Sequence, residues 1–299
     1  DNGEKEKWFS HTLNDFINLP GSMPEKLKGD EVTAKTQWTG SLYDSSYYYN
    51  PYMEKYRKEG NIKFPFFLTP DKHYVGAAWY QKEVNIPADW KGERILLFLE
   101  RPHIETTVWV NGQKTGMQNS LCVPHQYDIT HYVRPGKCTI TIRVDNRIKE
   151  INVGPDSHSI TDQTQGNWNG IVGRICLQTT PKTYFDDIQI YPEPEQKLAR
   201  VKVVIKGTGT AKVKLSAESF NTDKKHIVPA IQQEIKLNKG VTETEMVLPM
   251  GNDMLLWDEF HPALYKLKAE VTNGKKTEIK EIQFGMRRFE IKGKWFYVN

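Results

Sequence analysis

The sequence predicts an all-β protein built as two consecutive sandwiches, and three observations predict it. From Ala78 onward, short runs rich in Val, Ile, Tyr, Trp and Thr alternate with polar residues between turn signals. Asn-Gly pairs divide two of these runs, at Trp109-Val-Asn-Gly-Gln and Val271-Thr-Asn-Gly-Lys, and Asn-Gly tolerates the positive φ of a tight hairpin turn. Few stretches escape the strand pattern.

Taken in chain order, the first distinctive segment is Gln37 to Tyr56, crowded with Trp38, Tyr43, Tyr47, Tyr48, Tyr49, Tyr52 and Tyr56. Flat rings stack on pyranose faces, so the cluster suits either a sugar surface or packing against its own domain. Asn50 to Gly60 opens on Asn-Pro and closes on Gly, which predicts a short helix or an ordered loop. Strands follow at Trp79 to Ile86, Arg94 to Glu100, Thr106 to Val110, Thr139 to Val144 and Arg174 to Thr179. Trp79, Trp90 and Trp109 are expected to bury large apolar areas between the sheets. A boundary falls at Thr180 to Tyr184, giving a first domain over 1–183 whose strands and extended loops suit a jelly roll.

The second domain, 184–285, carries strands at Tyr184 to Tyr191, Ala199 to Ile205, Lys212 to Phe220, Ile231 to Leu237, Glu243 to Leu248, Leu264 to Val271 and Thr277 to Phe284. Alternating strands at this density, over ~100 residues, are what an immunoglobulin-like β-sandwich needs. Its expected core includes Val201, Val203, Val213, Leu215, Leu248, Leu264, Leu267 and Phe284. Ile291 to Val298 again reads as a strand, yet neither a capping turn nor a charged stop follows it. Residues 286–299 therefore read as the start of something further.

Composition excludes several classes. The chain has 299 residues, 38% hydrophobic and 26% charged, enough for two cores at the usual ~100 to 200 residues per domain. A formal net charge of +4 comes from 41 basic and 37 acidic residues without a dense cationic run, so nucleic acid is not an expected partner. No apolar stretch approaches the ~20 residues that cross a bilayer, and the chain does not open on an intact signal peptide. Cys122, Cys138 and Cys176 form neither a Cys-x-x-Cys unit nor a disulfide framework, and they read as isolated thiols packed as small apolar residues. His103, His125 and His131 lack metal-ligand spacing. Neither a phosphate-cradling loop nor a dinucleotide fingerprint is present, so no metal and no cofactor is expected.

A set of landmarks, in order, carries a family resemblance. Ala78-Trp-Tyr-Gln-Lys-Glu-Val, Leu97-Phe-Leu-Glu, Val108-Trp-Val-Asn-Gly, Tyr127-Asp-Ile-Thr, Pro135-Gly and Ile142-Arg-Val-Asp-Asn resemble the sugar-binding, galactose-binding-like domain of glycoside hydrolase family 2. Asn167-Trp-Asn-Gly-Ile-Val-Gly-Arg-Ile is similar to that domain's closing segment, with one residue more than the family's Gly-Ile-x-Arg. Leu19-Pro-Gly-Ser extends the likeness towards the start. Leu256-Trp-Asp-Glu-Phe-His-Pro-Ala-Leu-Tyr resembles the signature of the family's immunoglobulin-like domain. Phe284-Gly-Met-Arg-Arg-Phe-Glu-Ile with Phe296-Tyr-Val-Asn299 is similar to its junction with a catalytic (β/α)8 barrel. Most of these residues also have scaffold roles that need no family: turns, strand ends and apolar filling.

The resemblance implies the non-catalytic N-terminal part of a retaining exo-β-glycosidase acting on terminal β-galactosides or β-glucuronides, its barrel missing. It implies a carbohydrate substrate, the chain's own C-terminal barrel as partner, and a secreted or periplasmic location. Family members use two Glu residues held ~5–5.5 Å apart on that barrel, so no catalytic residue is expected in this chain. The adjacent acids Asp186-Asp187 and Asp258-Glu259 do not substitute for them, because neighbours on a strand face opposite ways. In such enzymes a loop of the first domain reaches the terminal sugar. The matching stretch, His158 to Asn169, holds Asp162, Gln163, Asn167 and Trp168, which offer carboxylate, amide and indole groups to a sugar or else brace the loop's own backbone. Two other functions fit the same residues: a stand-alone carbohydrate-binding module using the Trp38 to Tyr56 aromatics, and a purely structural β-sandwich protein.

Overall fold

The computed structural model describes residues 2–39, 46–64, 70–149, 167–238 and 240–299, which divide into two compact units, Asp1–Thr179 and Thr180–Asn299.

In the first unit the main strands are β1 (Ala77–Ile86), β2 (Arg94–Leu99), β3 (Glu105–Val110), β4 (Gln113–Asn119), β5 (His125–Asp128), β6 (Gly136–Asp145) and β7 (Ile175–Thr180). They form a four-stranded sheet in the order β1-β6-β3-β4 and a three-stranded sheet in the order β7-β2-β5. The alternation of each strand supplies one apolar face: Tyr80, Val108, Val110, Ile140, Ile142 and Val144 from the first sheet meet Ile95, Leu97, Leu99 and Tyr127 from the second. Each fully buried aliphatic of this kind contributes roughly 1.5–3 kcal/mol. The unit is a jelly-roll sandwich.

Two tryptophans correct the expectation that they fill the space between sheets. Because Ala78 and Tyr80 face inward on β1, and Val108 and Val110 on β3, Trp79 and Trp109 must lie on the opposite face. There they stack on each other at 4.9 Å. The N-terminal segment covers them: Trp8 meets Trp79 edge-on at 6.0 Å, and Phe9 lies flat on Trp109 at 5.2 Å. Trp90, by contrast, packs against the core from its rim. Cys138 is buried in that core, whereas Cys122 is exposed rather than packed.

The aromatic segment splits between the two roles open to it. Trp38 and Tyr47 are buried with Phe64 in a small separate core, while Tyr48, Tyr49 and Tyr52 are exposed; Tyr43 lies outside the described residues. Asn50 caps a short 3-10 helix, Pro51–Tyr56, through its side-chain oxygen, which accepts from the Tyr52 N–H at 3.0 Å.

The second unit contains β8 (Tyr184–Glu193), β9 (Leu198–Lys206), β10 (Gly209–Ser219), β11 (Ile227–Leu237), β12 (Val241–Pro249), β13 (Tyr265–Asn273) and β14 (Lys276–Phe284). A three-stranded sheet β8-β9-β12 and a four-stranded sheet β11-β10-β13-β14 enclose one core, the arrangement of an immunoglobulin-like sandwich. Val201, Val203, Val213, Leu215, Leu248, Leu267 and Phe284 lie in it as expected. Leu264 does not. Tyr265, Leu267, Ala269 and Val271 set the inward parity of β13, so the even-numbered neighbour falls outside the core cluster and Tyr265 fills the place assigned to it.

Both Asn-Gly hairpins form, by different turns. Asn111 and Gly112 both have positive φ, 49° and 78°, as a type I′ turn requires. In the second hairpin Asn273 still pairs with Lys276, so the turn is Gly274-Lys275 with positive φ at Gly274, the type II′ geometry. Asp186 and Asp187 are both exposed because the β8 register slips between Phe185 and Asp187, defeating simple alternation. The Asp258 carboxylate accepts from the Phe260 and His261 N–H groups at 2.8 and 2.7 Å, which identifies it as a turn cap. A final hairpin, β15 (Phe289–Lys292) with β16 (Trp295–Val298), exposes Phe289, Ile291, Trp295 and Phe296.

Candidate functional site

The described part of the expected sugar-facing stretch, from Asn167 on, is fixed in the first unit by local chemistry. Gly170 and Ile171 pair with Ser22 and Gly21, joining the Leu19-Pro-Gly-Ser stretch to the Asn167-Trp-Asn-Gly stretch. Gly170 has φ +150°, and a Cβ there would lie 2.4 Å from the Gly21 carbonyl oxygen. Only glycine allows the two backbones so close.

Around this pairing lies a buried amide network. Asn169 donates to the Gly76 and Val144 carbonyls, both at 2.9 Å, and accepts from the Tyr80 hydroxyl at 2.8 Å. Asn146, just past β6, accepts from the Gly76 N–H and donates to the Tyr74 carbonyl, both at 2.8 Å. Its amide also donates to Asn167 Oδ1 at 3.1 Å. Asn167 is 2% exposed and donates to the Asn146 carbonyl at 3.0 Å and to Thr39 Oγ1 at 3.1 Å. Satisfied amides of this kind hold a single arrangement, since a broken pair would strand a buried polar atom.

His103 completes the network. It is fully buried, its Nε2 lies 3.1 Å from Asn167 Oδ1, and its ring stacks on the half-buried Trp168 at 4.3 Å and 18°. Because that oxygen accepts, Nε2 carries the proton and Nδ1 is an acceptor; Nδ1 has no partner among the described residues. Burial pushes the imidazole down to about 4, with the Asn167 bond opposing the shift.

Beside it a cluster of ion pairs closes the sheet end. Asp145 is fully buried and binds Arg143 Nη2 at 2.8 Å, Arg147 Nη2 at 2.6 Å and Lys149 at 2.9 Å; Glu105 binds Arg143 Nη1 at 2.8 Å and Lys149 at 2.9 Å. Burial alone would raise the Asp145 carboxyl, but hydrogen bonds from Arg147 and Lys149 outweigh it and hold the group far below the usual carboxylate range. Glu105 is likewise held low by Lys149 and Arg143 against its burial. A glycosidase acid needs a raised pKa, so this pair of carboxylates braces the fold instead.

Of the four expected sugar-facing residues, Asn167 and Trp168 come together here, and Asp162 and Gln163 lie outside the described residues. Asn167 spends its amide inside the fold, and Trp168 gives one face to His103. Sequence reasoning missed His103 and Asn146 as their partners, and Asn169 as the amide that ties the same stretch to Tyr80. The landmark Ile142-Arg-Val-Asp-Asn contained the only available signal, because charged and amide residues at a strand end need buried partners. Among the described residues no group of His, Cys, Asp or Glu is arranged to hold a metal, and no helix is long and apolar enough to cross a membrane.

Comparison with known proteins adds the following. The family profile described as "Glycosyl hydrolases family 2, sugar binding domain" matches residues 26–181, and "Glycosyl hydrolases family 2" matches residues 183–287. The chain is 26% identical to the beta-glucuronidase of Homo sapiens, an alignment covering 76% of this chain and 39% of that protein. It is also 26% identical to the beta-galactosidase large subunit of Latilactobacillus sakei, over 78% of this chain and 35% of the relative. Among solved structures, a glycosyl hydrolase family 2 member from Bacteroides cellulosilyticus matches with a TM-score of 0.65 and 19% identity over 97% of this chain and 34% of that one. Bacteroides uniformis beta-glucuronidase 2 matches with a TM-score of 0.59 and 19% identity over 76% and 28%. The chain thus spans less than half the length of these proteins.

Proposed function

Since the chain belongs to glycoside hydrolase family 2, we propose that it is the non-catalytic N-terminal part of a retaining exo-β-glycosidase that cleaves terminal β-galactosides or β-glucuronides. Residues 1–183 form the sugar-binding domain, 184–285 the immunoglobulin-like spacer, and 286–299 the junction to a catalytic barrel. The observation that carries this reading is the pair of consecutive family matches, which together run from residue 26 to residue 287 on a chain that spans about a third of its relatives. The hairpin β15–β16 supports it, because the exposed Phe289, Ile291 and Phe296 share one face, the apolar surface that a packed neighbour would cover.

In the whole enzyme two barrel glutamates would perform the displacement, one attacking the anomeric carbon and one protonating the leaving oxygen. The first domain would shape the rim. Asp162 and Gln163 would hydrogen-bond hydroxyls of the terminal sugar, while Asn167 and Trp168, locked by His103 and Asn146, would hold the root of that rim. The test compares the 299-residue chain with the product of its uninterrupted reading frame on aryl β-galactosides and β-glucuronides. Hydrolysis by the longer product alone is expected, with D162N and Q163A in it raising KM. A reading frame that stops after Asn299, or turnover by the chain itself, would refute the proposal.

The exposed Tyr48, Tyr49 and Tyr52 favour a second function, a stand-alone carbohydrate-binding module. Titration with oligosaccharides separates the two: saturable binding lost in a Y49A/Y52A double variant supports the module.

A further inference from the structure

An open recess of about 350 Å3 lies on the first unit, lined by Asn2, Gly3, Trp8, Ala77 and Arg147. Its volume falls in the ~300–1,000 Å3 range of small-ligand sites. Two of its walls are held in place beforehand. Arg147 is tied to Asp145 through Nε at 2.9 Å and Nη2 at 2.6 Å, which fixes the guanidinium plane, yet its side chain remains 47% exposed. Trp8 sits edge-on against Trp79, and its indole N–H donates to Glu6 at 2.9 Å. A fixed guanidinium presents a planar fork that suits an oxyanion, and a fixed indole presents a flat apolar wall that suits a pyranose face. Groups already ordered lose little freedom on binding. Arg143, Arg147 and Lys149 pair with Asp145 and Glu105, three cations to two carboxylates. The Glu6 carboxylate, which accepts the Trp8 indole N–H, balances the remaining positive charge, so the Arg147 fork itself, not a net positive field, would select the anion.

We propose that this recess binds a saccharide bearing an oxyanion, a carboxylate or a sulfate ester, with Arg147 on the anion and Trp8 against the ring. The cleavage proposed above, carried by two barrel glutamates, assigns the recess no role, so the inference goes beyond that reading and is tested on this chain by binding alone. The experiment is an NMR titration of the 299-residue protein, following the backbone amide signals of Gly3 and Ala77, which line the recess in the parent and in both variants, with sodium glucuronate, glucose 6-sulfate, glucose and sodium sulfate. The expected result is binding of at least one charged sugar roughly tenfold tighter than glucose, with a loss of roughly tenfold in R147Q and in W8A. Which charged sugar binds tells carboxylate from sulfate ester. R147Q should fold, because Arg143 and Lys149 still compensate Asp145; W8A, lying outside that cluster, gives an independent answer. No saturable binding, glucose equal to the charged sugars, unchanged affinity in both variants, or sulfate alone matching the charged sugars would each overturn the proposal.

Discussion

His103 and Asp145 make the first unit acid-sensitive, and both act in the same direction. The folded His103 titrates at about 4 instead of the ordinary 6.5 because burial disfavours the imidazolium. The unfolded chain therefore binds more protons between those values, so its contribution is fully present above about 6.5 and is lost as pH falls towards 4, by at most about 1.4 kcal/mol per pH unit. Asp145, held low, contributes stability above its unfolded pKa of about 3.9 that is lost on further acidification. Urea unfolding followed between pH 7 and pH 4 should show a falling midpoint, and H103F should flatten the part of that slope above pH 4. An unchanged slope in H103F would show that His103 is not the group responsible. D145N, which leaves three cations around a neutral amide, should cost about 3–5 kcal/mol at pH 7 in the same assay. These partners were poorly legible in the sequence. His103 sits in a short link between two strands, and nothing in the spacing from 103 to 167 announces that the two side chains meet.

At the level of elements, the longer strands with one apolar face were legible, whereas the four-residue β5 and a strand with no apolar face were not. β1, β6, β9 and β13 alternate and were found, whereas β4, Gln113–Asn119, is polar and largely exposed, and no strand was assigned to it. The Asn111-Gly112 hairpin nonetheless implies a returning partner, and β4 is that partner. The N-terminal segment was illegible for a different reason: Trp8 and Phe9 matter only because Trp79 and Trp109 form a hydrophobic stack for them to cover. Deleting residues 1–10 should uncover Trp109, now 3% exposed, and lower stability by about 1–3 kcal/mol. Tryptophan emission should shift to the red, and a spectrum unchanged from the parent would show that the segment does not protect the stack. G170A should also be costly, about 2 kcal/mol or more, because its methyl group meets the Gly21 carbonyl. A thermal-unfolding midpoint within a degree of the parent's would contradict that close approach.

For the whole molecule, the exposed hairpin β15–β16 separates local stability from assembly. Replacing Ile291 or Phe296, 68% and 70% exposed, by Glu should change the stability of this chain by less than about 0.5 kcal/mol. In the longer enzyme proposed above, the same substitutions should cut activity several-fold by burying a charge against the barrel. Equal effects in the two contexts would refute that role for the hairpin. The sequence by itself determined the all-β class, the two sandwiches and the family, because alternation, turn chemistry and the order of landmarks are properties of neighbouring residues. Only the tertiary structure decided which face of a strand is inside, as with Trp79 and Leu264, and which distant polar groups satisfy one another, as with His103, Asn146 and Asn167. Burial and hydrogen-bond satisfaction depend on the whole packed molecule, since a polar group placed out of water must find its partner wherever the chain brings one.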